Sequence, residues 1–173
     1  MTGKRIVVLC ENLYEEMELW YPVYRLREAG HEVLLVGTGA AEYTGKHGLP
    51  AVVDRSIDVI NPEDVDGVIV PGGYAPDKLR RYPAVLELVR RVHEGGRLVA
   101  SICHGPWVLA SAGILPGKRL TCVSAIRDDV VNAGGLFEDA EVVVDGNLIT
   151  SRTPDDLPVF LPAILGFLEE MNQ

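Results

Sequence analysis

The chain has 173 residues and a mass of 18.8 kDa, and its 47% hydrophobic and 24% charged residues are typical of a folded globular protein. A net charge of -9 argues against nucleic acid as a partner, because no surplus of basic residues is available for phosphates. Three cysteines without a CxxC pair argue against a disulfide framework, and the amino terminus lacks the apolar length of a signal peptide or membrane span. We expect one domain over residues 1–173, a cytoplasmic location and no membrane partner.

Short apolar runs alternate along the chain with helical patterns. The runs are typical of parallel strands covered on both faces: KRIVVLC, HEVLLVGT, VDGVIVPGG, RLVASIC and LTCVSA. Between them lie the helical patterns YEEMELWYPVYRLREAG, DKLRRYPAVLELVRRVHEGG and HGPWVLASAGIL. This alternation predicts right-handed crossovers and a doubly wound, mainly parallel sheet with helices on both faces.

Two hairpin patterns and a final helix complete the predicted elements. Residues 42–57 and 140–152 predict β-hairpins, the second turning at Asp145-Gly146. The last helix lies in TPDDLPVFLPAILGFLEE, with Thr153 as its predicted N-cap. The prolines inside this segment favour a helix that starts late or bends.

The carboxyl ends of the strands are the expected location of an active site in such a sheet. This rule brings together three short segments that are far apart in sequence: Cys10-Glu11, Pro71-Gly72-Gly73 and Cys103-His104. Catalytic groups are therefore expected among these residues and in the segments that follow them.

The stretch LVASICHG ends a predicted strand on a cysteine. Ser101 and Gly105 flank Cys103 at two residues on either side, a relaxed form of the G-x-S-x-G nucleophile elbow. The N-terminus of the following helix favours a thiolate, so we predict that Cys103 is reactive. Cys10 and Cys122 lie within apolar strands and are predicted to be core residues.

His104 is the preferred candidate for a general base. No histidine follows it, so one subunit cannot hold a triad with a histidine late in the chain. His47 is the second choice, whereas His31 and His93 fall at the opposite edge of the predicted sheet. If His104 is protonated, its charge also favours a thiolate at Cys103.

Acidic residues follow the first strand. In helical geometry Glu15 and Glu18 share one face, whereas Glu16 points elsewhere and is expected to serve the helix dipole. Glu18 has apolar neighbours in the sequence, so we expect a partly buried, protonated carboxyl. Such a group can hydrogen-bond a thiolate or move a proton.

Of two glycine-containing segments, one is a candidate binding loop. In VPGGYAPD, the amides of Gly72 and Gly73 can form an oxyanion hole with the amide of His104, although a plain tight turn explains the pattern equally well. TGKHG lacks the upstream glycine and the Ser or Thr of a phosphate loop. No histidine or carboxylate spacing indicates a metal site, so we predict no metal and no cofactor.

These segments resemble the PfpI family of intracellular cysteine peptidases and deglycases, in the superfamily of the parkinsonism-associated protein deglycase. The resemblance covers nearly the whole chain. Its most specific segments are YEEMELWYPVYRLREAGHEV, TGKHG, VPGGYAPD, ASICHGPWVLASAGIL, IRDDVVNAGG and EVVVDGNLITSR. It implies a flavodoxin-like, glutamine-amidotransferase-like fold.

The resemblance assigns the central roles by position. It implies that Cys103 is the nucleophile, that Glu18 hydrogen-bonds the sulfur and that His104 is the catalytic histidine. The amides of Gly73 and His104 match the oxyanion hole.

The resemblance also implies a shared site. Asp77 falls where the family has an acid, usually glutamate, that reaches the histidine of a neighbouring subunit, which implies a homo-oligomer between a dimer and a hexamer. Glu15 and Lys46 match pocket positions. Val123 and Ser124 stand where close relatives often have tyrosine and proline, so substrate preference is open.

Three functions remain open from the sequence. The first is an enzyme that converts 2-oxoaldehydes or their glycation adducts to 2-hydroxy acids without glutathione. The second is an intracellular cysteine peptidase whose triad is completed across subunits. The third is a redox-sensing stress protein or holdase that uses oxidation of Cys103. The expected substrate is accordingly a small carbonyl compound or a peptide.

Overall fold

A seven-stranded sheet forms the centre of the computed structural model, which describes residues 3–172. The strands in chain order are β1 (Arg5–Leu9), β2 (Glu32–Gly37), β3 (Glu42–Thr44), β4 (Pro50–Val52), β5 (Arg55–Ser56), β6 (Gly67–Val70), β7 (Leu98–Ile102), β8 (Arg119–Leu120), β9 (Leu136–Phe137), β10 (Val142–Asp145) and β11 (Leu148–Ser151). The central sheet has the order β10-β11-β7-β6-β1-β2-β5. All its neighbours are parallel except β10 and β11, which confirms the predicted, mainly parallel sheet.

Helices cover both faces of this sheet. They are α1 (Glu16–Glu28), α2 (Ala75–Leu79), α3 (Pro83–Glu94), α4 (Pro106–Ala112), α5 (Arg127–Asn132) and α6 (Leu157–Glu170). α1 packs against α6, whereas α4 packs against α2, α3 and α5. β6 and β7 lie between these layers and are buried along their whole length, which explains their continuous apolar sequences. Within residues 3–172, no helix has the length and apolar character needed to cross a membrane.

Both predicted hairpins are present. β3 pairs antiparallel with β4 and forms a separate two-stranded sheet. β10 pairs antiparallel with β11 around Gly146, whose φ of 59° is in the left-handed region that glycine adopts easily. Because β11 also pairs with β7, this second hairpin extends the central sheet.

Two predicted elements differ from the observed ones. The long helical pattern after Gly73 forms two helices, because Pro83 lacks an amide hydrogen and Tyr82 before it is extended, with φ of -99° and ψ of 113°. Of the LTCVSA segment only Leu120 lies in a strand, β8, which pairs with β9 outside the central sheet. The next amides bond elsewhere: that of Thr121 donates to the Thr150 hydroxyl, 2.9 Å away.

The final helix begins late, as its prolines predict. A 3₁₀ turn at Pro154–Asp156 precedes α6, and Thr153 caps that turn by position but without a side-chain hydrogen bond. The Asp156 carboxylate instead accepts from the backbone amide of Arg152, 3.1 Å away. The start of α6 is thereby tied to the end of β11, next to the carboxyl edge of β7.

Candidate active site

Cys103 occupies a sharp turn between β7 and α4. Its φ of 62° is in the left-handed region, which costs free energy for a residue other than glycine. The amide of Cys103 donates to the Ser151 carbonyl, and its own carbonyl accepts from Val123, both at 3.1 Å. Gly105 permits the turn, since a Cβ there would lie 2.3 Å from the Ser101 hydroxyl oxygen. The geometry is that of the predicted nucleophile elbow.

Two backbone amides point at the sulfur of Cys103. They belong to Gly73 and His104, and both favour the charged form of the thiol. Gly73 has φ of 76°, and a Cβ on it would lie 2.4 Å from the Leu13 carbonyl oxygen, so only glycine fits. Both amides are among those that the sequence suggested for an oxyanion hole, and that role stays a prediction.

Glu18 lies beneath this turn, on the first helix. Its side chain is 0% exposed. Within residues 3–172, no group meets the distance and angle of a hydrogen bond to either carboxyl oxygen. Burial and the charge of Glu15 raise the pKa of Glu18 to about 8, against smaller opposing effects of Lys46, the Cys103 thiol and the Gly72 amide. At neutral pH the carboxyl therefore holds its proton.

Ionisation of Cys103 is coupled to that of Glu18. Burial and a charged Glu18 raise the pKa of the thiol to about 12, whereas the two amides and Lys46 lower it. The expectation that the helix N-terminus produces a thiolate is not supported, because α4 has only seven residues and burial acts in the opposite direction. A thiolate is instead favoured when Glu18 keeps its proton, since the repulsion then disappears.

His104 contacts the thiol within its own subunit. Its Nδ1 atom lies 3.2 Å from the sulfur of Cys103. Burial and the nearby charge of Lys46 lower the pKa of His104, which favours a neutral imidazole. The protonated His104 considered from the sequence is therefore disfavoured. His47, the second choice, is an exposed side chain whose Nδ1 lies 3.0 Å from a Glu16 carboxylate oxygen.

Glu15 and Lys46 form an ion pair beside Glu18. Glu15 is buried and also caps α1, accepting a hydrogen bond from the Met17 amide at 3.4 Å. Ligand atoms of Glu15, Glu16 and His47 lie within 4.8 Å of one another, a spacing that suits a metal ion. Glu15 pairs with the Lys46 ammonium and Glu16 contacts the Nδ1 of His47, so each carboxylate already has a partner and we assign a network of polar contacts.

Asp77 lies apart from the thiol, on α2. Its carboxylate accepts a hydrogen bond from Arg81, just after that helix, at 2.8 Å, and its side chain is 47% exposed. Its partner within the described subunit is thus an arginine and not His104. Cys10 and Cys122 are buried, and burial raises the pKa of both thiols to about 12, which confirms them as core residues.

Two aromatic residues near the site were not singled out from the sequence. The ring centroids of Trp107 and Tyr74 lie 5.2 and 6.3 Å from that of His104. The spacing of three residues between His104 and Trp107 was the available signal, because residues so spaced share a helix face. For Tyr74, only the sheet topology brings the residue to this place.

Comparison with known proteins identifies the family and the relatives of this chain. The family model for the DJ-1/PfpI family matches residues 4–166. Deglycase PfpI of Pyrococcus furiosus is 42% identical over 165 residues, covering 95% of this chain and 99% of the relative. Protein/nucleic acid deglycase 2 of Escherichia coli is 44% identical over 161 residues, covering 91% and 94%.

Solved structures share the fold. A two-domain protein from Anabaena variabilis with DJ-1/ThiJ/PfpI-like and ferritin-like domains matches with a TM-score of 0.93 and 42% identity, over 96% of this chain and 48% of that chain. DJ-1beta of Drosophila melanogaster matches with a TM-score of 0.88 and 32% identity, over 94% of this chain and 89% of that chain. From its family match, its relatives and its nucleophile elbow, the chain belongs to the DJ-1/PfpI family.

Proposed function

We propose that this protein is a cysteine-dependent enzyme acting on reactive carbonyls, as a deglycase or a glutathione-independent glyoxalase. The observation that carries the proposal is the pairing of Glu18, fully buried with a raised pKa, with the Cys103 thiol at the elbow. Relatives 42% and 44% identical are named deglycases, which supports the same chemistry here.

The first step is addition of the Cys103 sulfur to the aldehyde carbon of a 2-oxoaldehyde such as methylglyoxal. A carbon–sulfur bond forms, and the carbonyl oxygen becomes an oxyanion within reach of the amides of Gly73 and His104. The proton of the thiol passes to the neutral imidazole of His104, whose Nδ1 lies 3.2 Å from the sulfur. Glu18, holding its own proton before addition, gives that proton to the oxygen. The product is a hemithioacetal, and Glu18 is left as a carboxylate.

The second step is a proton transfer between two carbons. The Glu18 carboxylate removes the hydrogen from the carbon bonded to sulfur, giving an enediol, and returns a proton to the neighbouring carbon. The result is a thioester of a 2-hydroxy acid. Water then cleaves the carbon–sulfur bond. The Glu18 carboxylate takes a proton from the attacking water and His104 returns one to the departing sulfur, so that one aldehyde and one water yield lactic acid and the free thiol.

Parallel assays of methylglyoxal, a glycated amino acid and a fluorogenic peptide test this proposal. We expect turnover of the first two substrates by the purified wild-type protein. Cys103→Ala is expected to abolish turnover, because the covalent intermediate cannot form. Glu18→Gln is expected to reduce it by a factor of about 100 to 10,000, the usual contribution of a general acid–base group.

Cys122→Ala is the matched control, since it removes a thiol that is buried in the core. It should leave the rate per folded molecule nearly unchanged. Full carbonyl activity in either Cys103→Ala or Glu18→Gln would exclude the proposed reaction.

A peptidase is the second candidate, and the contact between Cys103 and His104 favours it. In that reaction the sulfur attacks a peptide carbonyl and His104 protonates the leaving amine. An acid that orients the imidazole must then come from Asp77 of a second copy, so peptide hydrolysis should depend on Asp77 more strongly than carbonyl turnover does.

A further inference from the structure

The imidazole of His104 contacts the sulfur and lies near two aromatic rings. Its Nδ1 lies 3.2 Å from the sulfur of Cys103. The ring of Trp107 lies 5.2 Å from the imidazole between centroids, at an interplanar angle of 60°, and that of Tyr74 lies 6.3 Å away at 32°. These rings limit the rotamers that bring the imidazole to the thiol.

Trp107 is itself held from outside the site. Its indole Nε1 donates a hydrogen bond to the Asp129 carboxylate of α5 at 2.8 Å. The guanidinium carbon of Arg80 lies 5.7 Å from the centroid of the Trp107 ring. Arg80 in turn donates to the hydroxyl of Ser111 at 2.9 Å. Groups after β6, on α4 and on α5 therefore fix the orientation of the indole.

We propose that Trp107 is a positioning residue, which holds the His104 imidazole against the Cys103 sulfur so that His104 exchanges the thiol proton within its own subunit. The proposal rests on the proposed function only in taking Cys103 as the nucleophile. Proton exchange needs the two groups within hydrogen-bond reach. Without the indole, the imidazole is free to adopt rotamers that face solvent.

The ionisable groups that face the imidazole or its aromatic support are those of Lys46, Cys103, Tyr74, Arg80 and Asp129. Burial and the charge of Lys46 both lower the pKa of His104. The neutral imidazole that results is the form that accepts a proton from a thiol. Packing thus brings to the sulfur an imidazole that is in its proton-accepting form.

Substitution of Trp107 is the first test. Trp107→Ala is expected to lower kcat for methylglyoxal about tenfold with KM changed less than about twofold, a part of what a general acid–base group contributes. It should also slow alkylation of Cys103 by iodoacetamide and alter the pH profile of that reaction. Trp107→Phe keeps an aromatic ring and should restore both properties to within about twofold of wild type.

Trp20→Phe is the matched control, because it replaces the other tryptophan, whose ring stacks on Tyr24 and not on His104. Thermal unfolding checks that each variant is folded. Wild-type kcat and alkylation profile in Trp107→Ala would overturn the proposal. So would a folded Trp107→Phe that is as impaired as Trp107→Ala.

Fluorescence is the second test and does not depend on activity or on replacing Trp107. In Trp20→Phe, Trp107 is the remaining tryptophan, and protonation of the neighbouring imidazole should quench it. We expect one step in the pH titration, with a midpoint below the ordinary histidine pKa of about 6.5. The step should vanish when His104→Gln is added.

A step that persists in the double variant, or no step in Trp20→Phe, would overturn the positioning role. If Trp20→Phe shows the step and the wild-type protein shows the alkylation profile but turns over no carbonyl substrate, the proposed function fails and the role of Trp107 stands.

Discussion

Cys103 and Glu18 form the smallest unit of this site, and each controls the charge of the other. The carboxyl holds its proton because it is 0% exposed, and a proton on Glu18 removes the repulsion that, after the larger effect of burial, raises the pKa of the thiol. The reactive form is therefore a thiolate beside a carboxylic acid. A carboxyl buried for this purpose also has an effect on the stability of the protein.

The first residue-scale prediction concerns stability and pH. Glu18 has a pKa of about 8 in the folded protein against 4.5 in an exposed carboxyl, so between these values the folded state binds more protons than the unfolded one. Stability conferred by the neutral carboxyl is complete below the lower value and is lost as pH rises towards the higher one. Relative to wild type, Glu18→Gln should gain about 1–3 kcal/mol of unfolding free energy between pH 5 and pH 8.

Urea unfolding followed by circular dichroism at both pH values measures this difference. Glu16→Gln is the control of opposite sign: burial raises the pKa of Glu16, but hydrogen bonds from His47 outweigh it and lower the pKa. Loss of the Glu16 carboxylate should therefore lower the free energy of unfolding more at the higher pH. An identical pH dependence in wild type and Glu18→Gln would show that Glu18 ionises normally.

At this scale, local patterns in the sequence revealed much of the site. The small residues around Cys103 indicate the turn, and two adjacent glycines indicate amides open to the sulfur. The direction in which the thiol pKa moves was not predictable, because it depends on burial and on the distance to Glu18. Both come from packing between helices and strands that are far apart in the sequence.

The hairpin of β3 and β4 is the element that brings positive charge to the site. Its turn is fixed to the start of α1, where the Lys46 amide donates to the Tyr14 carbonyl at 2.9 Å. The Lys46 ammonium contacts Glu15 and lowers the pKa of both Glu18 and Cys103. The TGKHG segment, which lacks the features of a phosphate loop, thus has an electrostatic role.

The element-scale prediction follows from that charge. Lys46→Met keeps the length of the side chain and removes the ammonium, so the pKa of the Cys103 thiol should rise further. Alkylation by iodoacetamide at pH 8 should slow about threefold or more, since each unit of pKa is a factor of about ten in thiolate. Lys46→Arg keeps the charge and is the control. Equal rates in Lys46→Met and wild type would remove Lys46 from the electrostatics of the site.

Element boundaries were predictable where residues act locally. Gly146 marks the hairpin turn, and Pro83 marks a break that the helical pattern alone concealed. The short length of β8 and its place outside the central sheet were not predictable from the apolar LTCVSA segment, because they depend on the hydrogen-bond acceptors of its backbone amides. Thr121 donates to a side chain of β11 and therefore leaves the strand pattern.

Asp77 raises the question of how many copies build one site. Its carboxylate on α2 pairs with Arg81. Because the side chain is half exposed, a group of another molecule can still reach it. The homo-oligomer, the single domain and the cytoplasmic location remain predictions, because a single chain carries no direct sign of its neighbours or its compartment.

The prediction at the scale of the whole molecule is a mixing experiment. If the peptidase triad is shared, Asp77→Ala and Cys103→Ala are each inactive on a fluorogenic peptide, and a mixture refolded together regains a fraction of wild-type activity. Subunits that carry Cys103 then receive Asp77 from the other variant. The same mixture should show no gain on methylglyoxal, because Asp77→Ala alone should retain that activity.

Sedimentation at the assay concentration provides the accompanying measure of subunit number. A mixture that stays inactive on a peptide that the wild-type protein cleaves would exclude a triad shared in this way.

The outer strands of the central sheet bear on how the protein behaves among many copies of itself. β5 has two residues, and at the other edge β10 has four. Unpaired backbone groups along a sheet edge act as templates for strands of other molecules, and short edges limit such pairing. The apolar strands that favour fibrils in isolation lie in the interior of the sheet. The fold therefore protects the protein from aggregation through exposed strands.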